Sequence, residues 1–227
     1  MDKRITIAID GPAASGKSTT ARLLAKKLGY IYIDTGAMYR AATLAVLEQN
    51  VDIDDESAVE QVVRMSRVTI ALADDGQRTF LDDKDVTHLL RSPKIDKAIS
   101  AVSSYAGVRR VMVEQQRELA GEGGVIMDGR DIGTVVLPDA DLKVFMMASI
   151  EARANRRVKE LMKKGVPVDA DEVRNDISRR DRLDSTRDQS PLKRADDARD
   201  LDNSGLSIDQ QVNIILEWAM ELLKPVA

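Results

Sequence analysis

The chain contains no cysteine. That excludes disulfides and thiolate metal sites and is compatible with a reducing compartment. It has a single histidine, His88, set in a polar stretch that reads as surface rather than as a catalytic base. No apolar run approaches the roughly 18 residues of a membrane span. A strand-like segment begins within a few residues of the N-terminus, so no signal peptide is expected. Internal repeats and low-complexity linkers are missing too. So is an excess of positive charge: the net charge is −4, where general nucleic-acid binders are usually basic. These absences lead to the expectation of a soluble, cytoplasmic protein with neither membrane nor nucleic-acid partners. Its 227 residues, 43% of them hydrophobic, suit one α/β domain with an insert, or two small domains.

The most informative segment present is Gly11-Pro12-Ala13-Ala14-Ser15-Gly16-Lys17-Ser18, which fits the phosphate-binding pattern G-x-x-x-x-G-K-[ST]. The β-branched run Ile5-Thr6-Ile7-Ala8-Ile9 before it reads as a buried strand. After it Ala21, Leu24, Ala25 and Leu28 recur at helical spacing, with Gly29 as a stop. Strand, glycine loop and helix are the context in which backbone N–H groups wrap phosphate oxygens and a helix N-terminus favours negative charge. Lys17 is then expected to reach the β- and γ-phosphates and Ser18 to ligate Mg²⁺. A nucleoside triphosphate is the expected ligand of residues Gly11 to Thr19.

Tyr30-Ile31-Tyr32-Ile33, Gly124-Val125-Ile126-Met127 and Leu142 to Met147 read as three more buried strands, separated by helical segments. The expected fold class is α/β, a P-loop fold with a central parallel sheet covered by helices on both faces. In such sheets ligands bind beyond the carboxyl ends of the strands, where Asp10, Asp34 and Asp128 stand. Residues 67–92 break the rhythm. Val68, Ile70 and Leu72 alternate with other residues, Asp75-Gly76 signals a tight turn, and Thr79-Phe80-Leu81 returns. An inserted antiparallel β-hairpin with few apolar anchors is expected there. Ser207 and Gln210 form a capping-box pattern, an apolar stripe runs from Val212 to Leu223, and Pro225 ends it.

Asp128 closes an apolar strand as a Walker B aspartate does, so Ser18 and Asp128 are the expected metal ligands. Asp34 to Arg40 ends a strand and opens a helix. Thr35 with the following N–H groups and Arg40 suits a second phosphate, although an N-cap followed by a solvated arginine reads equally well. Arg153, Arg156, Arg157, Arg179, Arg180, Arg182 and Arg187 crowd the last third. Taken singly each reads as a solvated salt-bridge partner, but as a cluster they suit a transferring phosphoryl group. Trp218 and the methionines at 146 and 147 read as packing residues.

The loop Gly11–Ser18, the segment Asp34-Thr35-Gly36-Ala37-Met38-Tyr39-Arg40 and the block Asp128-Gly129-Arg130-Asp131-Ile132-Gly133-Thr134-Val135-Val136 together resemble the bacterial cytidylate kinases, over essentially the whole chain. Thr35 stands where some relatives carry serine, which keeps the hydroxyl. The resemblance implies a monomeric nucleoside monophosphate kinase of pyrimidine metabolism that moves the γ-phosphoryl of ATP to CMP or dCMP with Mg²⁺. It implies that Thr35, Arg40, Arg130 and Arg187 grip the monophosphate, and that Ser100, Arg109 and Asp131 read the cytosine edge. It also places Arg180 and Asp184 near the sugar hydroxyls and Arg153 and Arg157 in a lid over the ATP phosphates. Lys17, Asp128, Arg130, Arg153, Arg157 and Arg187 become the expected catalytic set. The implied layout is one P-loop kinase fold. Residues 1–34 and 106–227 form its core, with a lid at about 153–170, and 35–105 form a monophosphate-binding region carrying the hairpin at about 67–92. Another P-loop small-molecule or nucleotide kinase, such as an adenylate or shikimate kinase, is the nearest alternative. A non-catalytic P-loop ATP-binding switch is the more distant one.

Overall fold

A computed structural model describes residues 4–73, 76–121, 123–163 and 165–224. Asp75 of the expected turn, Lys164 and the helix-ending Pro225 lie outside the described residues. Along the chain run β1 (Thr6–Asp10), α1 (Lys17–Leu28), β2 (Ile31–Asp34), α2 (Thr35–Glu48), α3 (Glu56–Met65), β3 (Val68–Ala73), β4 (Gly76–Leu81) and β5 (Lys84–Asp85). Then follow α4 (Pro93–Val102), α5 (Ala106–Ala120), β6 (Val125–Gly129), a π-helical turn (Ile132–Val136), β7 (Leu142–Met147), α6 (Ile150–Lys163), α7 (Ala170–Thr186), β8 (Arg199–Asp202) and α8 (Ile208–Leu223). The chain divides into two compact units, Met1–Tyr30 with Gly123–Ala227, and Ile31–Glu122.

In the first unit β1 runs parallel between β6 and β7, and β8 extends the ladder from β7. Ile5, Ile7, Ile9, Ile126 and Met146 are fully buried, as continuous apolar runs in a parallel sheet require. Helices α1 and α8 pack on each other and on these strands. Gly29, left-handed at φ 65, closes α1, and the Ser207–Gln210 capping box opens α8. Strand β8 was not expected, and Arg-Asp-Leu-Asp shows why: it is short, polar and buries only Leu201. Met147, expected in the core, is 37% exposed while Met146 is buried, because strand side chains alternate and β7 ends there.

In the second unit β3 and β4 pair from Val68↔Leu81 to Ala73↔Gly76, and β5 adds a short third strand. The expected hairpin is therefore a three-stranded sheet. It is also better anchored than the sequence implies: Val68, Leu81, Val86 and Leu90 are all buried. The Val68 N–H donates to Gln115 Oε1 at 3.0 Å. Helix α5, read from sequence as part of the core, packs on α2, α3 and β3 within this unit.

Candidate active site

Strand β1 delivers the phosphate loop and α1 receives it. Ala14 at φ 58 and Gly16 at φ 95 both take left-handed backbone, and such residues, alternating with right-handed ones, turn successive N–H groups into one concavity. Lys17 is buried, donating from Nζ to Pro12 O at 2.7 Å and to Ser15 Oγ at 3.2 Å. Burial, and then the nearby Arg130 guanidinium, push its ammonium down to about 7. Ser18 Oγ donates to Asp128 Oδ2 at 2.9 Å, so the two expected metal ligands meet. A hydroxyl and one carboxylate suit Mg²⁺, which takes few protein ligands and completes its shell with water and phosphate oxygens. Among the described residues no cluster of three or more His, Cys, Asp or Glu forms an all-protein cage.

Asp10, the last residue of β1, accepts the Ile132 and Gly133 N–H groups, one on each oxygen, both at 2.8 Å. It thereby ties the turn after Asp131 to the base of the loop. Burial raises its pKa to about 6 against those two stabilising bonds.

The Asp128–Asp131 block and α7 supply paired charges. Arg130 Nε donates to Asp184 Oδ2 at 2.7 Å. Burial alone would lower the pKa of Arg130, but Asp184, together with Asp128 and Asp181, holds the group above its ordinary value. Arg187 Nη2 lies 3.7 Å from Asp131 Oδ1, and its Nε donates to Ser190 O at 2.7 Å. Arg180 pairs with Asp176 one turn back at 3.1 Å. Of the two lid arginines, Arg157 is half-buried and bonds Glu160 at 2.8 Å. Arg153 is buried: its Nη1 donates to Ala13 O at 3.1 Å and to Asp181, its Nε to Ala148 O at 3.1 Å. Asp181 also accepts the Ala13 N–H at 3.1 Å.

The second unit holds the remaining expected contacts. Asp34 caps α2 through Ala37 N–H at 2.9 Å, leaving buried Thr35 as the first residue of that helix. Arg40 donates to Leu90 O at 3.1 Å and pairs with Asp96 at 2.7 Å. Ser100 is half-buried on α4. Arg109 is buried on α5, donates to Ser103 O at 3.3 Å, and lies 5.3 Å over the Tyr39 ring. His88 is exposed, and Trp218 is half-buried and stacked by Arg199 at 5.5 Å.

Sequence reading missed Asp181, Asn203 and Gln211. Asp181 sits in the Arg-Arg-Asp-Arg run of α7, where it reads as one more surface charge. Asn203 and Gln211 carry no motif, and only their burial, at 0% and 3% exposure, marks them.

A model of the cytidylate kinase family matches residues 7–221. The chain is 50% identical over 224 residues to a cytidylate kinase of Bacillus cytotoxicus, covering 99% of this chain and 100% of the relative. It is 52% identical over 216 residues to a cytidylate kinase of Bacillus thuringiensis, covering 95% and 96%. Among solved structures, a shikimate kinase from Bacteroides thetaiotaomicron superposes with a TM-score of 0.50 at 13% identity, covering 96% of this chain and 99% of that one. That likeness is one of fold alone. No helix among the described residues is long and apolar enough to cross a membrane.

Proposed function

This chain belongs to the cytidylate kinase family, and from that premise we propose how its own residues carry the ATP-dependent phosphorylation of CMP and dCMP. One observation carries the reading. The phosphate loop that carries Lys17 and the Asp128–Asp131 block that carries Arg130 are joined where Ser18 Oγ donates to Asp128 Oδ2 at 2.9 Å, so two cations stand on elements that one hydrogen bond ties together. Like charges brought together in a buried place suit a polyanion.

Phosphoryl transfer needs little covalent help, so positioning and charge neutralisation dominate. The loop Gly11 to Thr19 holds the donor phosphates through its backbone N–H groups other than that of Ala13, which Asp181 takes, and Lys17 adds its charge to them. Ser18 and Asp128 would hold Mg²⁺, which would supply positive charge to the phosphates. Asp184 holds Arg130 in one orientation, so its guanidinium meets the transferring group with little reorganisation. Arg153 and Arg157, of the proposed lid at about residues 153–170, and Arg187, which follows α7, add the remaining charge. Thr35 and Arg40, with Arg130 and Arg187, are the proposed monophosphate contacts. Ser100, Arg109 and Asp131 are the proposed readers of cytosine, and Arg180 and Asp184 those of the sugar. The proposed enzyme is a cytoplasmic monomer acting on free nucleotides, without membrane or nucleic acid.

A coupled assay with ATP, Mg²⁺ and a panel of monophosphates tests this. CMP and dCMP are expected to give the highest specificity constants. A preference for AMP, or ATP hydrolysis without transfer to any monophosphate, would overturn it.

A further inference from the structure

A phosphate cradle works only while its N–H groups point inward. A trans peptide is planar, with C=O and N–H on opposite sides. Whatever holds a loop carbonyl outward therefore aims the next residue's N–H inward. Two loop peptides are gripped in this way. The Ala13 carbonyl accepts Arg153 Nη1 at 3.1 Å. The Ser15 carbonyl accepts Asn203 Nδ2 at 2.7 Å and Arg156 Nη1 at 3.4 Å. The residues that follow these carbonyls, Ala14 at φ 58 and Gly16 at φ 95, both take left-handed backbone.

Asn203 is fully buried, and every polar atom it has is used. Its N–H donates to Met147 O at 2.8 Å, continuing the β7–β8 ladder. Its carbonyl accepts Arg156 Nη2 at 2.6 Å, and its Oδ1 accepts Arg156 Nη1 at 3.0 Å. Besides the Ser15 carbonyl, Nδ2 meets Gln211 Oε1 at 3.0 Å. The same oxygen accepts Thr20 Oγ1 at 3.0 Å, and Gln211 Nε2 is committed to Leu206 O at 3.1 Å. The amide cannot flip without setting oxygen against oxygen on one side and N–H groups against a guanidinium on the other.

We propose that Asn203 is a positioning residue for phosphoryl transfer, holding the Ser15 carbonyl outward and so aiming the Gly16 N–H at the donor phosphates. It acts through the loop and touches no substrate. The proposal rests on the reading of ATP as the phosphoryl donor at this loop.

Asn203→Asp tests it. The side chain keeps its size and its acceptor toward Arg156 but turns an oxygen on Ser15 O and Gln211 Oε1. With both buried donor bonds of Nδ2 made repulsive, kcat/KM for ATP is expected to fall about tenfold or more, while KM for CMP stays within about twofold. Thr20→Val is the comparison: it removes one bond of the same network without touching Ser15. It should lower Tm and leave KM for ATP within about twofold. An N203D enzyme with the wild-type kcat/KM for ATP would overturn the proposal. So would a T20V enzyme that shifts ATP kinetics as far as N203D does, since the network would then be merely structural. Should N203D not fold, Arg156→Lys removes the second grip on Ser15 O and is judged by the same split between ATP and CMP. Wild-type protein that fails to phosphorylate CMP would strike the functional reading. Normal wild-type turnover beside an unaffected N203D strikes this inference alone.

Discussion

The phosphate loop and the three-stranded sheet of the second unit are both short, yet different interactions hold them. The loop is fixed by directed polar bonds: Arg153 and Asn203 on its carbonyls, Asp181 on the Ala13 N–H, Lys17 on the Pro12 carbonyl. The sheet is fixed by register and by the buried side chains of Val68, Leu81, Val86 and Leu90. Polar bonds specify angles, whereas apolar burial is nondirectional and sums over area. Substitutions around the loop should therefore register mainly in catalysis, and substitutions under the sheet mainly in stability.

The largest effect is expected at Lys17. Lys17→Ala removes a charge that is stronger toward the transition state than toward the ground state, so kcat should fall at least about 100-fold to 1000-fold. Circular dichroism should show an intact fold. Near-wild-type turnover would break the comparison at its strongest point.

Asp10 comes next and tests the polar side through pH. Its folded pKa of about 6 lies above its ordinary 3.8, chiefly through burial, with Asp131 raising it and Lys17 opposing. A raised pKa contributes stability that is full below the unfolded value and is lost as pH rises through the folded one. Asp10→Asn cannot titrate. Hence the stability difference, wild type minus D10N, should shrink by up to about 3 kcal/mol between about pH 4 and pH 7. Urea unfolding at several pH values reads this directly, and parallel profiles would refute it.

Asp131→Ala should leave ATP kinetics almost untouched and lower the specificity constant for CMP by about 10-fold to 100-fold, as expected when a buried polar partner is removed. If the variant keeps the original preference for CMP over UMP and AMP, Asp131 does not read the base.

Val86→Ala is the smallest and addresses the sheet. It should cost about 1–2 kcal/mol in urea unfolding, with kinetics unchanged at temperatures where the protein stays folded. A kinetic defect with no stability loss would erase the contrast between the two regions.

What sequence reading captured follows the same division. The glycine loop, the strand ending in Asp128 and the Ser207–Gln210 cap are local patterns, each readable within a few residues because its chemistry is completed there. Arg153 was legible as a cation but not as a ligand of the Ala13 carbonyl, because its partner lies 140 positions away. The turn at Ile132–Val136 has no composition of its own: what shapes it is Asp10, reaching across more than a hundred residues. Strand β8 was hidden because three of its four residues are charged and only pairing with β7 makes them a strand.

The span from Ser15 to Asn203 also has a meaning in time. Ile31–Glu122 is one continuous stretch, so on the ribosome all its partners emerge before the chain is finished. The nucleotide loop, by contrast, waits for the donor on its Ser15 carbonyl, which follows 188 residues later. At roughly 5–20 residues per second that is a wait of about 10–40 s. Throughout it the loop lacks the Asn203 donor on Ser15, so a nascent chain arrested before β8 should expose the motif yet retain nucleotide poorly. Competence to hold the phosphoryl donor therefore waits on the residue that follows β8.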